Sequence, residues 1–567
     1  MTLAMMSAPL AQATPLPVDI PDIPWAAISP ELVLFGVGIL ALLLDTAGPQ
    51  RLQASLLVFA AVTPGAVLAG LETGEVVLPA LVALGAVVQL ALTAIWRERP
   101  RMLAALLTGL GFAAAFGVTA WQWAEYAGTA ARVVGDTRTA LVGTASVLGD
   151  MVAVDGVALF TRFTVCLAGL VTVPLGYGYA DDRRMHRGEY YPLLLFAATG
   201  MTLLAASADL IMVFIAYEVL SLSLYILSAF ARRDLNSQEA ALKYFLLGAF
   251  SSALLLYGIA LVYGVTGSTN IAAAGQAFQA LDAPAGLVVA AMALLFVGFA
   301  FKTSLVPFHM WTPDVYQGAP TPVTGFMAAA TKAAAFAAFV RIFVGAFAPL
   351  QWSWTPVVWL VAVLTMLAGA VLAVVQRDLK RMLAYSAVAH AGYVVIGLVA
   401  VTREGVSALL LYLFVYAFMS LGSFGVLALF ERRGRKAMAL DDLRGIGRRY
   451  PVPAGMLALF LLSLAGIPGT AGFVAKFAVF RAGIDAGQTA LVVVAVVSSV
   501  IAAFFYIRVI IAMFMEDEPA DATTQPPLVP GPGVTAGLVV SAAAVIVLGV
   551  LPGVLVDLAG QAASFAG

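Results

Sequence analysis

Apolar residues run along this chain in long unbroken blocks, not at alternate positions. Sixteen blocks approach or exceed the length that crosses a bilayer as a helix, about 20 residues. They are residues 29–45, 53–71, 76–96, 102–124, 152–177, 190–207, 209–231, 240–265, 285–309, 321–347, 355–376, 381–401, 404–431, 452–482, 489–515 and 534–556. In lipid every backbone N–H and C=O must bond within the protein, so blocks of this kind predict helices. The period-2 alternation of a membrane strand is absent.

Polar positions between the blocks orient them. With the N-terminus outside, the loops after odd-numbered spans face the cytoplasm. These hold Arg51, Arg97, Arg99, Arg101, Arg183, Arg184, Arg187, Arg232, Arg233, Arg377, Lys380, Arg381, Arg432, Arg433, Arg435, Lys436, Arg444, Arg448 and Arg449. The opposite loops hold only Arg132, Arg138 and Arg403. This is the distribution expected when basic loops stay inside. Residues 1–28 read as an extra-cytoplasmic tail: the apolar run is short and the basic start of a secretory signal is missing. Both termini are thus expected outside.

Composition agrees. Of 567 residues, 62% are hydrophobic and 11% charged, with mean hydropathy +0.99. Soluble domains carry about 25% charged residues. A net charge of -1 gives no pull toward nucleic acid. One cysteine, Cys166, excludes a disulfide framework and a thiolate-held iron–sulfur cluster within the chain. His186, His309 and His390 are too scattered for metal-ligand spacing, and no Gly-rich phosphate loop is visible.

Eight cations remain in or near spans: Arg162, Lys243, Lys302, Lys332, Arg341, Lys476, Arg481 and Arg508. A lysine at the bilayer centre costs about 2.5–3.5 kcal/mol. It persists where it faces a polar interior, pairs with an acid or works. Glu218 and Lys332 lie roughly 14 and 16 Å along their spans at the helical rise, near mid-membrane. Lys243 is close enough to a helix end to snorkel to water. Arginine keeps its proton, so the four arginines read as structural or polarising. Lys302 precedes Pro307 and Lys476 follows Pro468. Proline frees a backbone carbonyl, and paired broken helices in a transporter point to its ion site. A plain kink beside a lysine remains the alternative. A buried lysine loses proton affinity by desolvation and regains it beside a carboxylate, so changing that distance moves protons.

Five spans fall within 190–347 and five within 355–515. An odd repeat inserts its second copy upside down. His390 enters its span nine residues from the inside, as Glu218 does from the outside, and is the expected counterpart of Glu218. Imidazole titrates near neutral pH, and Tyr385 on the same helix could extend the path. A packed histidine is the alternative.

The stretches YEVLSLSLYILSAF around Glu218, EAALKYFLLGAFSSALLLYG around Lys243, SLVPFHMWTPDVYQGAPTPVTGFMAAATK ending at Lys332, RDLKRMLAYSAVAHAGY around Tyr385 and His390, and LSLAGIPGTAGFVAKF around Lys476 resemble the antiporter-like membrane subunits of respiratory complex I, the NADH-quinone oxidoreductase, and its N type most closely. The resemblance covers about residues 150–556. It implies an all-α polytopic membrane protein of two inverted five-helix repeats with broken helices, about 14–16 transmembrane helices. Residues 29–177 would form the N-terminal helices with an apparent extra pair, 190–347 and 355–515 the two repeats, and 534–567 a C-terminal helix and tail. It implies a proton relay of Glu218, Lys243, Lys302, Lys332 and Lys476, linked by His309, Tyr385 and His390. No cofactor is expected in this chain. FMN, iron–sulfur clusters and quinone would lie in partner subunits, both membrane and hydrophilic, including neighbouring antiporter-like ones. The family usually has fourteen spans, so the extra pair is a departure. An Mrp-like cation/proton antiporter subunit is the alternative reading.

Overall fold

A computed structural model describes residues 27–46, 100–134, 145–147, 150–183, 185, 189–280, 286–431, 439–518 and 530–563. Most of the expected tail and the expected spans 53–71 and 76–96 lie outside the described residues. The helices are α1 (Ser29–Thr46), α2 (Pro100–Val134), α3 (Gly156–Asp182), α4 (Tyr190–Ala206), α5 (Leu210–Ser228), α6 (Leu235–Thr266), a short α7 (Ile271–Gln279), α8 (Gly286–Thr303), α9 (Trp311–Gly318), α10 (Thr321–Ala346), α11 (Gln351–Val374), α12 (Leu379–Val399), α13 (Arg403–Phe430), α14 (Pro451–Ala465), α15 (Ala471–Asp485), α16 (Thr489–Met515), α17 (Pro532–Val550) and α18 (Gly553–Ala562). Among the described residues eleven helices are long and apolar enough to cross a membrane, and three shorter apolar ones join them.

The all-helix expectation holds, and one span boundary moves. Ala145–Val147 and Val152–Val154 pair as an antiparallel ribbon, β1 and β2. The span expected from residue 152 therefore starts later, at Gly156. Asp155 sets that start: its side chain accepts from the Ala158 N–H at 2.9 Å, satisfying a donor the first helical turn leaves open. Asp209, Asp234, Asp378 and Thr402 cap α5, α6, α12 and α13 in the same way.

Two spans are interrupted, and the interruptions share one geometry. At the end of α8, Ser304 N–H donates to Phe301 O and Leu305 N–H to Ala300 O, with Ser304 at φ 67°. At the end of α14, Gly466 N–H donates to Ser463 O and Ile467 N–H to Leu462 O, with Gly466 at φ 86°. Both are left-handed caps that satisfy terminal carbonyls and turn the chain aside. Each lies in the fourth long span of its group of five.

The groups match again where their first two helices meet. A methyl group added to Gly200 of α4 would lie 2.4 Å from the Leu220 nitrogen of α5, and one on Gly369 of α11 2.5 Å from that of Ala389 in α12. These close approaches fall beside Glu218 and His390. Helices α10, α12 and α13 are enclosed almost throughout, whereas α6, α11, α16 and α17 turn residues such as Phe250, Val371, Val500 and Val547 outward. Without water to drive helices together, such close small-residue contacts supply the packing.

Candidate functional site

Lys302 ends α8 just before the break and is 1% exposed. Its Nζ donates to Ser221 Oγ at 2.6 Å and lies 3.5 Å from Tyr244 Oη. It sits 4.7 Å above the ring of Tyr217, 5.4 Å above Tyr244 and 5.8 Å above Tyr225. Desolvated ring faces attract a cation by about 2 kcal/mol. Glu218, adjacent to Tyr217 on α5, acts on Lys302 through space. No ion pair joins the two, and Glu218 Oε1 is buried without a hydrogen-bond partner. The acid and the lysine are therefore near each other but uncoupled by direct bonding.

Lys243 precedes Tyr244 yet leaves the cage. Its side chain is 42% exposed and bonds Glu239 at 2.6 Å and Asp314 at 2.7 Å. Asp314, on α9 just past the break, also holds Arg381 of α12 at 2.6 Å. One carboxylate thus ties α6 to α12. His309 lies in the break, with Nδ1 lacking a partner and its ring 6.5 Å from that of Tyr385. Tyr385 in turn lies under the Arg381 guanidinium at 5.9 Å. His309 and Tyr385 are thus neighbours of the Asp314 clamp, apart from the Lys302 cage.

Lys332 lies mid-way along α10, immediately after a π-helical turn at Met327–Thr331. Such turns are rare and gather at functional sites. Its Nζ donates to the Ala387 carbonyl of α12 and sits 5.8 Å above Tyr416 of α13. The hydroxyl of Thr331 beside it is buried with no partner.

His390 is ringed by tyrosines. Tyr412 Oη lies 2.8 Å from Nδ1 and Tyr506 Oη 3.2 Å from Nε2. Tyr506 also bonds Ser386. The rings of Tyr416 and Tyr393 are 5.1 and 5.5 Å away. Lys476 donates to the Ala465 carbonyl at the end of α14 (2.9 Å) and to Ser499 (2.8 Å), 5.1 Å above the Tyr393 ring. Tyr416 is thus shared by Lys332 and His390, and Tyr393 by His390 and Lys476. Three of the expected residues form a file, while no hydrogen bond links the Lys302 cage to Lys332 among the described residues.

The structure adds residues the sequence reading missed: Asp314, Ser221, Ser499 and the tyrosines 217, 225, 244, 393, 412, 416 and 506. Their trace in the sequence is a phenol one residue from Glu218 and from Lys243, and phenols at helical spacing in α13. Arg162 bonds Glu31 at 2.7 Å, Arg341 grips both oxygens of Asp155, and Arg508 caps the carbonyls of Val374 and Gln376. Among the described residues no three His, Cys, Asp or Glu side chains converge as for a metal.

The family model described as NADH:quinone oxidoreductase/Mrp antiporter, TM, matches residues 207–502. NADH-quinone oxidoreductase subunit N of Rhodococcus opacus is 53% identical over 378 residues, covering 66% of this chain and 70% of its own. The subunit N of Parafrankia is 40% identical over 585 residues, covering 98% of both chains. A chain of respiratory complex I from Thermus thermophilus with bound aureothin superposes with TM-score 0.66 at 35% identity, covering 83% of this chain and 97% of that one.

Proposed function

The chain belongs to the NADH-quinone oxidoreductase subunit N family, and on that premise we propose that its buried Glu218, lysines and histidines relay protons across the membrane while NADH oxidation and quinone reduction proceed in partner subunits. It is a proton-translocating membrane subunit of that enzyme. FMN, the iron–sulfur clusters and quinone belong to those partners.

The single observation that carries the reading is the surroundings of Lys302, Lys332 and Lys476. All three are at most 5% exposed, and none has a carboxylate in bonding contact. Each Nζ meets hydroxyls, a carbonyl or ring faces, partners that serve an ammonium and an amine alike. Glu218 is placed to alter the proton affinity of Lys302 if the two approach, because an opposite charge within about 4–6 Å favours the ammonium.

The step is a proton shift between nitrogen and oxygen lone pairs. An ammonium at Lys332 gives up an N–H proton along the phenols toward His390, and the neutral amine at Lys476 accepts one at its Nζ. Other helices enclose α10, α12 and α13, so the site is screened from lipid and bulk water. Lys243, tied to Asp314, serves at the cation-rich rim, with His309 and Tyr385 as links beside it. Protons travel from the cytoplasmic, cation-rich side outward, with both termini on the outer side.

Glu218→Gln or Lys302→Ala should reduce both coupled proton transport and quinone reductase activity while the complex still assembles. Normal pumping by both variants would falsify the relay. The shared family description favours the Mrp-like reading. Relatives matched over nearly their whole length carry the subunit N name. Co-purification with hydrophilic iron–sulfur subunits separates the two.

A further inference from the structure

Glu431 follows the last turn of α13 at the cation-rich end of the bundle, and the relay just described does not use it. It is 7% exposed. One oxygen bonds Arg183 Nη2 at 3.0 Å, and the other accepts from the Thr321 hydroxyl at the start of α10. Arg183 lies 5.5 Å over Tyr179 of the same helix, α3. Lys380, 5% exposed at the start of α12, donates to the Ala319 carbonyl at 2.7 Å. It feels the charges of Glu431, Asp378, Asp234 and Arg183. Elements from the N-terminal unit and from both five-helix groups therefore converge on one carboxylate.

The helix that carries Glu431 also carries the tyrosines of the file. Tyr412, Tyr416 and Ser420 follow one another at four-residue spacing, so they share a face of α13. Opposite them, α10 starts at Thr321 and reaches Lys332 about 16 Å deeper. Thr324 and Thr331 are hydroxyls on that stretch, and Thr331 has no hydrogen-bond partner. A buried hydroxyl in that condition suits a bridging water. Between Thr324 and Thr331 the seam is apolar: residues 325–330 of α10 carry no polar side chain, Gly325 packs against Phe424 and Leu421 of α13, and Phe424 lies 6.0 Å from the Tyr316 ring.

We propose that Glu431 is the proton-collecting group on the cation-rich side, feeding Lys332 along the seam between α10 and α13. This rests on the relay reading above. A proton from the aqueous side forms an O–H bond at the Glu431 oxygen that faces Thr321. That bond breaks when the proton passes inward, and an N–H bond forms on the neutral amine of Lys332. Arg183 stays paired with the emptied carboxylate. This apolar stretch interrupts the wire at rest, so transfer needs α10 and α13 to part along it.

The test is proton uptake by the assembled complex in sealed membrane vesicles during NADH-driven quinone reduction, measured across pH for Glu431→Gln, Glu431→Asp, Thr321→Val and Lys332→Ala. Glu431→Gln should move the alkaline limb of transport down by about one pH unit, equivalent to about tenfold at a fixed alkaline pH. Glu431→Asp should restore the wild-type limb, which a purely structural role would not require. Thr321→Val leaves the Arg183 ion pair in place and should shift the limb the same way, so it carries the test should Glu431→Gln fail to assemble. An unchanged limb in either variant, with transport stopped in Lys332→Ala, overturns the Glu431 proposal and leaves the relay standing. Normal transport in Lys332→Ala overturns the relay itself.

Discussion

Two regions of this protein bury cations, and they do so in opposite ways. Where α1, α2 and α3 meet, and where α3 meets α10, the cations are arginines locked to acids. Arg162 holds Glu31 and Gln122, and Arg341 holds Asp155 with two bonds at 2.6 and 2.8 Å plus the Ala205 carbonyl. Along the seam of α8, α10, α12 and α15 the cations are lysines that meet neutral partners only. A guanidinium cannot release its proton in a protein and suits a planar, two-pronged clamp. An ammonium is a compact donor whose proton affinity responds to burial. The contrast separates charges that hold helices together from charges that can change state.

The largest effect is expected from collapsing that distinction in the seam. Lys332→Arg keeps the charge but removes a releasable proton, so coupled proton transport should fall by at least about tenfold, as far as in Lys332→Ala. Dye-monitored acidification of membrane vesicles reads this, and a fully active Lys332→Arg variant would show that fixed charge suffices. The converse manipulation is Asp155→Asn. It strands the Arg341 guanidinium, and breaking a buried pair costs about 3–5 kcal/mol. The amount of assembled complex on a native gel should drop while transport per complex is retained. Loss of transport without loss of assembly would put Arg341 among the working charges.

Smaller effects should come from the neutral partners. Tyr506→Phe deletes the phenol shared by His390 and Ser386. One hydrogen bond is worth about 1 kcal/mol, so a slowing of about fivefold is expected, measured as proton flux per NADH oxidised. Lys243→Met should do least. A half-exposed ion pair contributes at most about 1 kcal/mol and is screened by salt. Its effect should shrink further at high ionic strength. A loss matching Lys332→Ala would place Lys243 inside the file instead of at its rim.

Much of the fold was legible in the chain itself. Apolar blocks located the helices because backbone groups in lipid have no partner but their own helix. Basic loops gave a consistent alternation, because charge resists crossing. Prolines 307 and 468 marked the neighbourhoods of the two breaks, although the caps that turn the chain rest on Ser304 and Gly466. Lys302, Lys332, Lys476, Glu218 and His390 stood out because each is costly in an apolar helix.

Partners were another matter. Nothing in the chain singled out Asp314, and only the fold showed it clamping Lys243 and Arg381. Apart from Tyr385 no tyrosine stood out in the chain, yet seven others surround three buried cations and one imidazole. Glu431 gave no sign in the chain that it meets Thr321, 110 residues away. By itself the sequence determined that this protein is a bundle of membrane helices holding titratable groups at depth, because burial cost depends on residue type and local period alone. Only the tertiary structure decided which of those groups touch, because contact between helices distant in sequence depends on how glycine-lined faces and broken ends pack, and no local pattern encodes that.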